Sequence, residues 1–339
     1  MNWNKFVVVG ENIHCTRIVK RNGKRAGTRP DGSEMVTFSY RGEERELSVP
    51  ADWEQFSPAF GQDKIKHAAL AIFQARHGDE NDRRDGEDYL CWMAERQIEA
   101  GVTFLDVNVD EYANDADEVR QAMVWLVEFL STRFEIPLSI DSSNPDTLEA
   151  GLERCRKDIR PPMMNSVSLE RTSAVDLVKP YDADVIVSAA GREDMPADAD
   201  ARLANLGEII AMLEKAGVPR EKQHLDPLVM PISTDPMNGS MFMEATERAG
   251  KEFPGVHLNG GLSNISFGMP KRRLLNQVFM RLCAERGTDG GIIDPVTMSV
   301  DEVSALDPST ESFKLAKAVL TGKDMFGMEY ISAYREGRL

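Results

Sequence analysis

The sequence has few cysteines, and none of them is placed to bind a metal or to form a disulfide framework. Its four cysteines, Cys15, Cys91, Cys155 and Cys283, lie far apart along 339 residues and form no CxxC pair. This spacing argues against a zinc site and is typical of proteins in a reducing cytoplasm. Long apolar runs are also absent, whereas a membrane span needs about 20 consecutive apolar residues. The short apolar run near the N-terminus is predicted to be a first strand and not a signal peptide. We therefore expect a cytoplasmic protein without a membrane segment.

Basic residues and several catalytic motifs are also scarce. Lys and Arg number 40 against 56 Asp and Glu, which gives a net charge of −16 and disfavours nucleic acid and anionic membranes as partners, because both need a basic face. No GxGxxG follows the first apolar run, and no GxSxG elbow supports acyl transfer. The five histidines are scattered and not accompanied by carboxylates at ligand spacing, so no metal site is predicted. His224 and His257, inside or beside predicted strands, are interpreted as structural.

What the sequence does contain is a regular alternation of short apolar runs with longer amphipathic segments. The predicted strands are residues 6–9, 103–107, 137–140, 162–164, 184–188, 223–225, 255–258 and 290–293. Helical periodicity appears in residues 115–134 and 271–286, and Asn144 followed by Pro145 is a helix-start signature. Eight strands, each followed by a helix, predict an α/β fold of the (β/α)₈ TIM-barrel type, with residues 1–339 as a single domain. An open, doubly wound sheet is the alternative.

Residues 16–63 interrupt this alternation. Two β-like runs, residues 35–40 and 46–49, are joined by the polar Arg41-Gly42-Glu43-Glu44. The pattern predicts a β-hairpin inserted after the first strand. Such an insertion would emerge at the C-terminal face of the barrel, where barrel active sites lie. It is either decoration, including part of an oligomer interface, or a lid or docking element for a partner.

Asp and Asn recur where the predicted strands end, which is the most informative pattern in the chain. The polar residues at these points are Asn12, Asn108, Asp141, Asn165, Asp226, Asn264 and Ser266. A single Asp or Asn is often only a cap or turn former, and Asn144 and Ser266 allow that interpretation. Recurrence at the same point of most strands, which meet at one rim of a barrel, instead predicts a binding pocket.

The residue types in this predicted pocket narrow its ligand. It has no convergent basic cluster, which disfavours a phosphorylated substrate. A carboxylate accepts two N–H bonds from an amino-pyrimidinone edge, while a carboxamide donates and accepts together. A flat heterocycle that carries amide and amino groups, such as a pterin, matches these residue types.

With these residues identified, the sequence resembles the pterin-binding methyltransferases that use methyltetrahydrofolate and a corrinoid protein. That family shares its barrel with dihydropteroate synthase and with the folate domain of cobalamin-dependent methionine synthase. The resemblance runs through residues 6–12 and from about Asp88 to near the C-terminus. Its most specific segments are LSIDSSNPDTLEAGL, MMNSVSLER, HLDPLVMP, and GGLSNISFG followed by RRLLNQVF.

The resemblance implies roles for the polar residues and for two substrates. Asp141, Asn165 and Asp226 match family residues that hydrogen-bond the pterin ring. Asn264 matches the catalytic Asn that reaches N5, the atom that carries the methyl group. Asn12, Asn108 and Ser266 are expected in the substrate-binding set at the rim. The implied substrates are tetrahydrofolate or 5-methyltetrahydrofolate and a cobalamin or related corrinoid, carried by a partner protein because this chain has no DxHxxG pattern. Relatives are often homodimers, and the same is expected here.

The implied chemistry is an SN2-type methyl transfer, in which N5 is assisted by hydrogen bonding. Some positions depart from the family pattern: residues 10–14 read Gly-Glu-Asn-Ile-His in place of Gly-Glu-Arg-Ile-Asn, and residues 188–193 lack the expected polar groups. We favour transfer from the corrinoid to tetrahydrofolate, as in catabolism of a methyl donor. A dihydropteroate synthase-like transferase, a non-catalytic folate-binding subunit and a direct demethylase are the alternatives. The first would need a Gly-Gly-x-Ser-x-Arg-Pro segment after the second strand, where this chain has Val107-Asn108-Val109-Asp110-Glu111.

Overall fold

The computed structural model describes residues 3–339, and in it eight parallel strands form one sheet. The strands of the protein, in chain order, are β1 (Val7–His14), β2 (Ile18–Lys20), β3 (Ala26–Thr28), β4 (Glu34–Tyr40), β5 (Glu43–Ser48), β6 (Lys64–Lys66), β7 (Phe104–Asn108), β8 (Leu138–Asp141), β9 (Met163–Val167), β10 (Asp184–Ser188), β11 (Gln223–Asp226), β12 (His257–Leu258) and β13 (Gly290–Ile293). The large sheet has the order β12-β11-β10-β9-β8-β7-β1-β13. This is the chain order of a (β/α)₈ barrel, so the predicted fold class is confirmed.

Helices follow the strands of the large sheet. They are α1 (Trp53–Phe56), α2 (His67–His77), α3 (Glu80–Glu99), α4 (Ala116–Arg133), α5 (Pro145–Leu152), α6 (Val175–Val178), α7 (Ala199–Lys215), α8 (Asn238–Glu252), α9 (Arg272–Ala284), α10 (Val300–Ser304), α11 (Glu311–Leu320) and α12 (Met328–Arg335). The predicted start of α5 is confirmed, because the Asn144 side chain accepts hydrogen bonds from the backbone N–H groups of Asp146 and Thr147. None of the helices in residues 3–339 is both long and apolar enough to span a membrane.

Two strands differ in length from the sequence prediction. β1 runs on to His14, although Gly10, Glu11 and Asn12 end its apolar run at Val9. β12 contains only two residues, and the predicted start at Gly255 is wrong. Gly255 has a φ of +93°, which lies outside the strand region of backbone space.

The chain divides into two compact units, each with its own part of the sheet. The first takes in the described residues up to Gly10, residues 100–104 and residues 163–339, and the second takes in residues 11–99 and 105–162. In the first unit a cluster of buried side chains fills the interior of the strands: Val7, Val9, Phe104, Met163, Ile186 and Ile292. The backbone N–H of Ile292 donates to the carbonyl of Gly260, which joins the segment after β12 to β13.

The insertion lies in the second unit and is larger than the predicted hairpin. β4 and β5 form that hairpin, and β3 pairs with the other edge of β4. The connection is two residues, not four, because Glu43 and Glu44 already pair with Tyr40 and Ser39. Arg41 and Gly42 have φ values of +52° and +83°, the combination of a type I′ turn, whose twist matches that of the flanking strands. β2 and β6 pair antiparallel and hold together the two ends of the insertion.

Aromatic side chains anchor this three-stranded sheet on α3. The Phe38 ring lies 4.9 Å from the Tyr89 ring in an edge-to-face arrangement and 5.9 Å from the Trp92 ring. Arg45 forms ion pairs of 2.5 Å with Asp85 and 2.8 Å with Asp88. The insertion is therefore part of the core of its unit through α3, whatever further role it has.

Close packing of α3 on α2 gives a first testable prediction, at Gly86. A Cβ at this position would lie 2.6 Å from the carbonyl oxygen of Ala71 and 2.7 Å from the backbone nitrogen of Ala75. Gly86→Ala is expected to lower the free energy of unfolding by about 1–3 kcal/mol, because the two helices must move apart. Urea unfolding followed by circular dichroism measures this value.

The matched control for this prediction is Gly207→Ala in α7. There the new Cβ would lie 3.3 Å from an atom of the Phe253 ring, a side chain that can yield. The gain in helix propensity, about 1 kcal/mol, should leave this variant neutral or stabilised. Equal effects of the two substitutions would contradict the packing argument.

Candidate active site

In the second unit, three titratable side chains meet near the carboxyl ends of β1, β7 and β8. The Nε2 atom of His14 lies 2.6 Å from Oδ2 of Asp106, which is a hydrogen bond. Asp141 joins them, with one side-chain atom from each of the three residues within 4.8 Å of the others. The Asp106 side chain is fully buried, that of His14 is 11% exposed, and Asp141 is partly exposed. A hydrogen-bonded carboxylate and imidazole thus lie next to a carboxyl group that is partly exposed to solvent.

Burial and neighbouring charges shift the pKa values of two members of this cluster. Burial lowers the pKa of His14, but the hydrogen bond to Asp106 and the charges of Asp106, Asp141 and Glu11 more than offset it, so the net shift is upward. Burial and the charge of Asp106 raise the pKa of Asp141, while the charge of His14 and a hydrogen bond with Asn108 oppose that shift. Both shifts favour the protonated form of the group.

Asn108 and Asp110 order the loop beside this cluster. Asn108 pairs with Asp141 in the register of β7 and β8, and its side-chain oxygen accepts a 3.0 Å hydrogen bond from the backbone N–H of Asp110. The Asp110 carboxylate accepts from the Ser142 hydroxyl at 2.5 Å and from the backbone N–H of Ser143 at 2.7 Å. Asn12 is partly exposed near the end of β1, and its backbone N–H donates to Gln97. The second unit thus brings Asn108 and Asp141 together, as the sequence analysis expected of a pocket.

The spacing of His14, Asp106 and Asp141 would also suit three ligands of one cation. Two ligands with bonds of about 2.1 Å to one ion lie roughly 3 Å or more apart. The 2.6 Å between His14 Nε2 and Asp106 Oδ2 is shorter than that and matches a charge-assisted hydrogen bond. We therefore interpret this cluster as an acid–base group and not as a metal site.

In the first unit, Asn165 and Asp226 occupy the predicted strand-end positions. Asn165 lies in β9 and Asp226 ends β11, and each is 9% exposed. The Asp226 carboxylate accepts a 2.8 Å hydrogen bond from the backbone N–H of Leu228. Burial raises the pKa of Asp226 to about 6, although hydrogen bonds from Leu228 and Gly261 and the charge of Arg202 act in the opposite direction. Asp226 is a buried carboxylate without a salt bridge of its own, which is the kind of group that recognises paired N–H donors.

The segment after β12 carries Asn264 and Ser266 in a short 3₁₀ turn, Leu262–Ser266. The Asn264 side chain is partly exposed, and its backbone N–H donates to the Gly261 carbonyl at 3.0 Å. Ser266 is fully buried; its hydroxyl accepts from Arg272 at 3.0 Å and lies 3.4 Å from the Ser263 carbonyl. Ser266 therefore fixes the turn that presents Asn264, and of these two side chains only Asn264 is open to a ligand.

The two histidines interpreted as structural lie at the opposite ends of their strands from these residues. His257 begins β12, and its Nδ1 lies 2.7 Å from Oδ2 of Asp289, a hydrogen bond that agrees with the structural interpretation. His224 is buried and stacks on His257 with a ring separation of 4.6 Å. Its Nε2 is 3.7 Å from Asp184, which is longer than a hydrogen bond. Packing, not hydrogen bonding, holds this second ring.

Carboxylates and carboxamides such as these can hydrogen-bond a flat ring that carries amide and amino groups. The family model described as pterin binding enzyme matches residues 84–294, and the chain belongs to that family. It is 31% identical over 260 residues to the methylcorrinoid:tetrahydrofolate methyltransferase of Eubacterium limosum, an alignment that covers 75% of this chain and 89% of that protein.

Solved structures of dihydropteroate synthases share the fold. The enzyme of Xanthomonas albilineans is 22% identical with a TM-score of 0.53, and the match covers 67% of this chain and 87% of that one. The enzyme of Vibrio fischeri is 17% identical with a TM-score of 0.53, and the match covers 69% and 85% of the two chains. At this level of identity the likeness concerns the barrel and not the reaction.

His14 and Asp106 are the residues that the sequence analysis missed. Asp106 lies within an apolar run, and His14 lies beyond the predicted end of the first strand. The signal for His14 was its position two residues after Asn12, where the family pattern has an asparagine. The expectation that no histidine accompanies the carboxylates is wrong. β1 and β7 bring His14 and Asp106 into hydrogen-bond contact, although they are 92 positions apart in the sequence.

Proposed function

We propose that this protein is a methyltransferase that moves a methyl group between a corrinoid carried by a partner protein and N5 of tetrahydrofolate. The observation that carries the proposal is the 31% identity to a methylcorrinoid:tetrahydrofolate methyltransferase over 89% of that protein's length. Membership of the pterin binding enzyme family supports the folate part of the proposal. Fold likeness to dihydropteroate synthases does not favour their reaction, and the segment Val107–Glu111 lacks the glycine- and arginine-bearing sequence that reaction would need.

The pterin-binding roles are assigned residue by residue. In the first unit, Asp226 accepts N–H groups of the ring, and Asn165 donates and accepts beside it. In the second unit, Asp141 binds the ring, with Asn108 hydrogen-bonded to it, and Asn12 completes the substrate-binding set. Ser266 supports the turn that carries Asn264. These assignments use the half-buried or buried carboxylates and amides described above, whose desolvation makes each hydrogen bond to a ligand stronger.

The step itself needs little covalent participation by the protein. In the favoured direction the N5 lone pair attacks the methyl carbon, the carbon–cobalt bond breaks, and its electron pair stays on cobalt, which is reduced from Co(III) to Co(I). The N5–H proton is then released. Asn264 cannot titrate, so its role is a hydrogen bond to N5 that strengthens as charge changes there. Binding both reactants in line supplies most of the remaining rate enhancement.

We also propose that the protein acts in the cytoplasm as a homodimer. All four cysteines are free and buried, as suits a reducing compartment. The homodimer rests on the resemblance to the family, and analytical ultracentrifugation of the purified chain tests it.

The methyl transfer is tested with the purified chain, free methylcob(III)alamin and tetrahydrofolate under anaerobic conditions. The expected result is loss of the methylcobalamin spectrum, appearance of cob(I)alamin and formation of an equal amount of 5-methyltetrahydrofolate. Calorimetry with tetrahydrofolate runs in parallel. Binding without transfer would favour the non-catalytic subunit, and absence of binding would overturn the proposal altogether.

A further inference from the structure

The proposed reaction releases or consumes one proton at N5, and the residues assigned so far leave that proton without an acceptor. Tetrahydrofolate carries a hydrogen on N5, and 5-methyltetrahydrofolate does not. Asn264 has no titratable group, so it cannot take the proton. General acid–base catalysis needs a group that titrates near the working pH and lies within reach, directly or through one water.

We propose that Asp141 accepts the N5 proton when the methyl group moves to tetrahydrofolate, and that the buried His14–Asp106 pair sets its proton affinity. The proposal rests on the function proposed above and goes beyond it, because it gives a role to two residues outside the binding set. Asp141 is the reacting member, since it is partly exposed and already belongs to the substrate-binding set. His14 and Asp106 act through it and are positioning residues.

The geometry of the second unit supports this division of roles. The Asp106 side chain is fully buried and hydrogen-bonded to His14 at 2.6 Å, so the pair is held in place within 4.8 Å of Asp141. Asp106 and its register partner Ser139 on the next strand are both fully buried. A buried ion pair of this kind acts on its neighbour through a low dielectric, where a unit charge has a large effect.

The other charged groups around the cluster are already engaged. Glu11, whose charge acts on His14, forms a 2.7 Å ion pair with Arg17. Asp110, whose charge acts on Asp141, accepts hydrogen bonds from Ser142 and Ser143. His14 and Asp106, which carry opposite charges when ionised, lie within 4.8 Å of Asp141. Burial and Asp106 raise the pKa of Asp141, and His14 lowers it.

The proton balance gives the two directions of transfer opposite pH dependences. Transfer to tetrahydrofolate requires ionised Asp141, so kcat at saturating tetrahydrofolate should rise with pH through the pKa of this group. Transfer from 5-methyltetrahydrofolate to cob(I)alamin requires the protonated form, so its kcat should fall over the same range. Use of kcat and not kcat/KM removes the titration of the free folate from the comparison.

Two variants of the pair should shift the pH profile of kcat in opposite directions. The limb followed here is the part of the profile in which kcat for transfer to tetrahydrofolate rises with pH. His14→Asn removes a positive charge, which raises the pKa of Asp141 and moves the limb to higher pH. Asp106→Asn removes a negative charge, which lowers that pKa and moves the limb to lower pH. Each shift should be about one pH unit, the size expected for a charge within a few ångströms. A purely structural role for the pair would lower kcat without moving the limb.

The matched control is His257→Asn. It removes another histidine that is hydrogen-bonded to an aspartate, at the opposite end of a strand, and it should leave both pH profiles in place. Asp106→Asn carries the test alone if His14→Asn does not fold, with a shift of the limb to lower pH as its expected result. Folding of each variant is checked by its melting temperature.

The outcomes separate this inference from the proposed function. Opposite limb shifts in the two variants support it. The proton-acceptor role is overturned if the wild type turns over but the limb lies at the same pH in all variants, or shifts in the same direction in both. Either result leaves the methyl-transfer proposal intact. Folate binding without turnover by the wild-type protein overturns both proposals.

Discussion

Replacement of Asn264 with alanine is expected to lower kcat for methyl transfer by about 10²–10³-fold, the cost of removing one preorganised donor from a reacting atom. The Kd for tetrahydrofolate should change by less than about threefold, because the interaction strengthens only as the transition state forms. The backbone of the turn is held by Gly261 and by the bonds of Ser266, so loss of the partly exposed amide leaves the turn in place. Anaerobic absorbance kinetics give kcat, and calorimetry gives Kd.

The control for this experiment is Asn81→Ala, the same substitution at an exposed position on α3. It should match the wild type in both measurements. If Asn264→Ala weakens folate binding as strongly as it lowers kcat, the residue serves uniform binding and not catalysis, and its assigned role is wrong.

The second large effect is expected at Asp226. Asp226→Asn replaces an acceptor of two N–H groups with an amide that can accept at only one atom. The Kd for tetrahydrofolate should rise by about 10–100-fold, the equivalent of one charge-assisted hydrogen bond of about 1.5–3 kcal/mol. Burial raises the pKa of Asp226 to about 6, so wild-type affinity should fall as pH drops through 6, and the variant should lack this dependence. Calorimetric titrations between pH 5 and pH 8 measure both effects.

The same substitution is expected to stabilise the protein at neutral pH. The pKa of Asp226 is higher in the folded chain than the ordinary value of 3.8, so the folded state binds the proton more tightly. Its favourable contribution is complete below pH 4 and is lost as pH rises through 6. Asp226→Asn should therefore raise the free energy of unfolding at pH 7.5 by about 1–3 kcal/mol and have little effect at pH 4.

The exposed Asp117→Asn is the control for this stability effect, because Asp117 lies on the surface of α4. It should leave the Kd for tetrahydrofolate unchanged and alter the free energy of unfolding by no more than about 0.5 kcal/mol at either pH, because its ion pair with Arg120 is exposed. A destabilised Asp226→Asn at pH 7.5 would show that the carboxylate serves the fold, and its assignment as a ligand-binding group would lose its support.

The barrel strands could be predicted because each is a short apolar run bounded by polar or glycine residues. β10 and β13 have the predicted bounds, since their burial is complete from end to end. β1 was predicted too short because Gly10, Glu11 and Asn12 interrupt its apolar run, although the strand continues to His14. Polar residues inside a strand remove the apolar pattern by which the strand is predicted. β3 and β6 were missed for another reason, since three residues carry too little periodicity to indicate a strand.

The strand-end residues were predictable as a set, but their interactions were not. Asn108 and Asp141 were predicted to lie at the ends of neighbouring strands, and the register of β7 and β8 confirms that they pair. No local pattern indicated that Ser266 would be buried, because its environment depends on Arg272 in the following helix. The His14–Asp106 pair required the same long-range information.

The anchoring of the three-stranded sheet on α3 links two distant parts of the sequence. Tyr89 is fully buried and Trp92 is partly covered, and Phe38 and Arg25 of the insertion contact both. A relative without residues 16–63 would expose these two rings to water, so we expect polar or smaller side chains at both positions in such proteins. Aromatic residues spaced like Tyr89 and Trp92 in this helix thus become a marker by which other chains with the same accessory sheet can be recognised, even where the sheet itself has diverged.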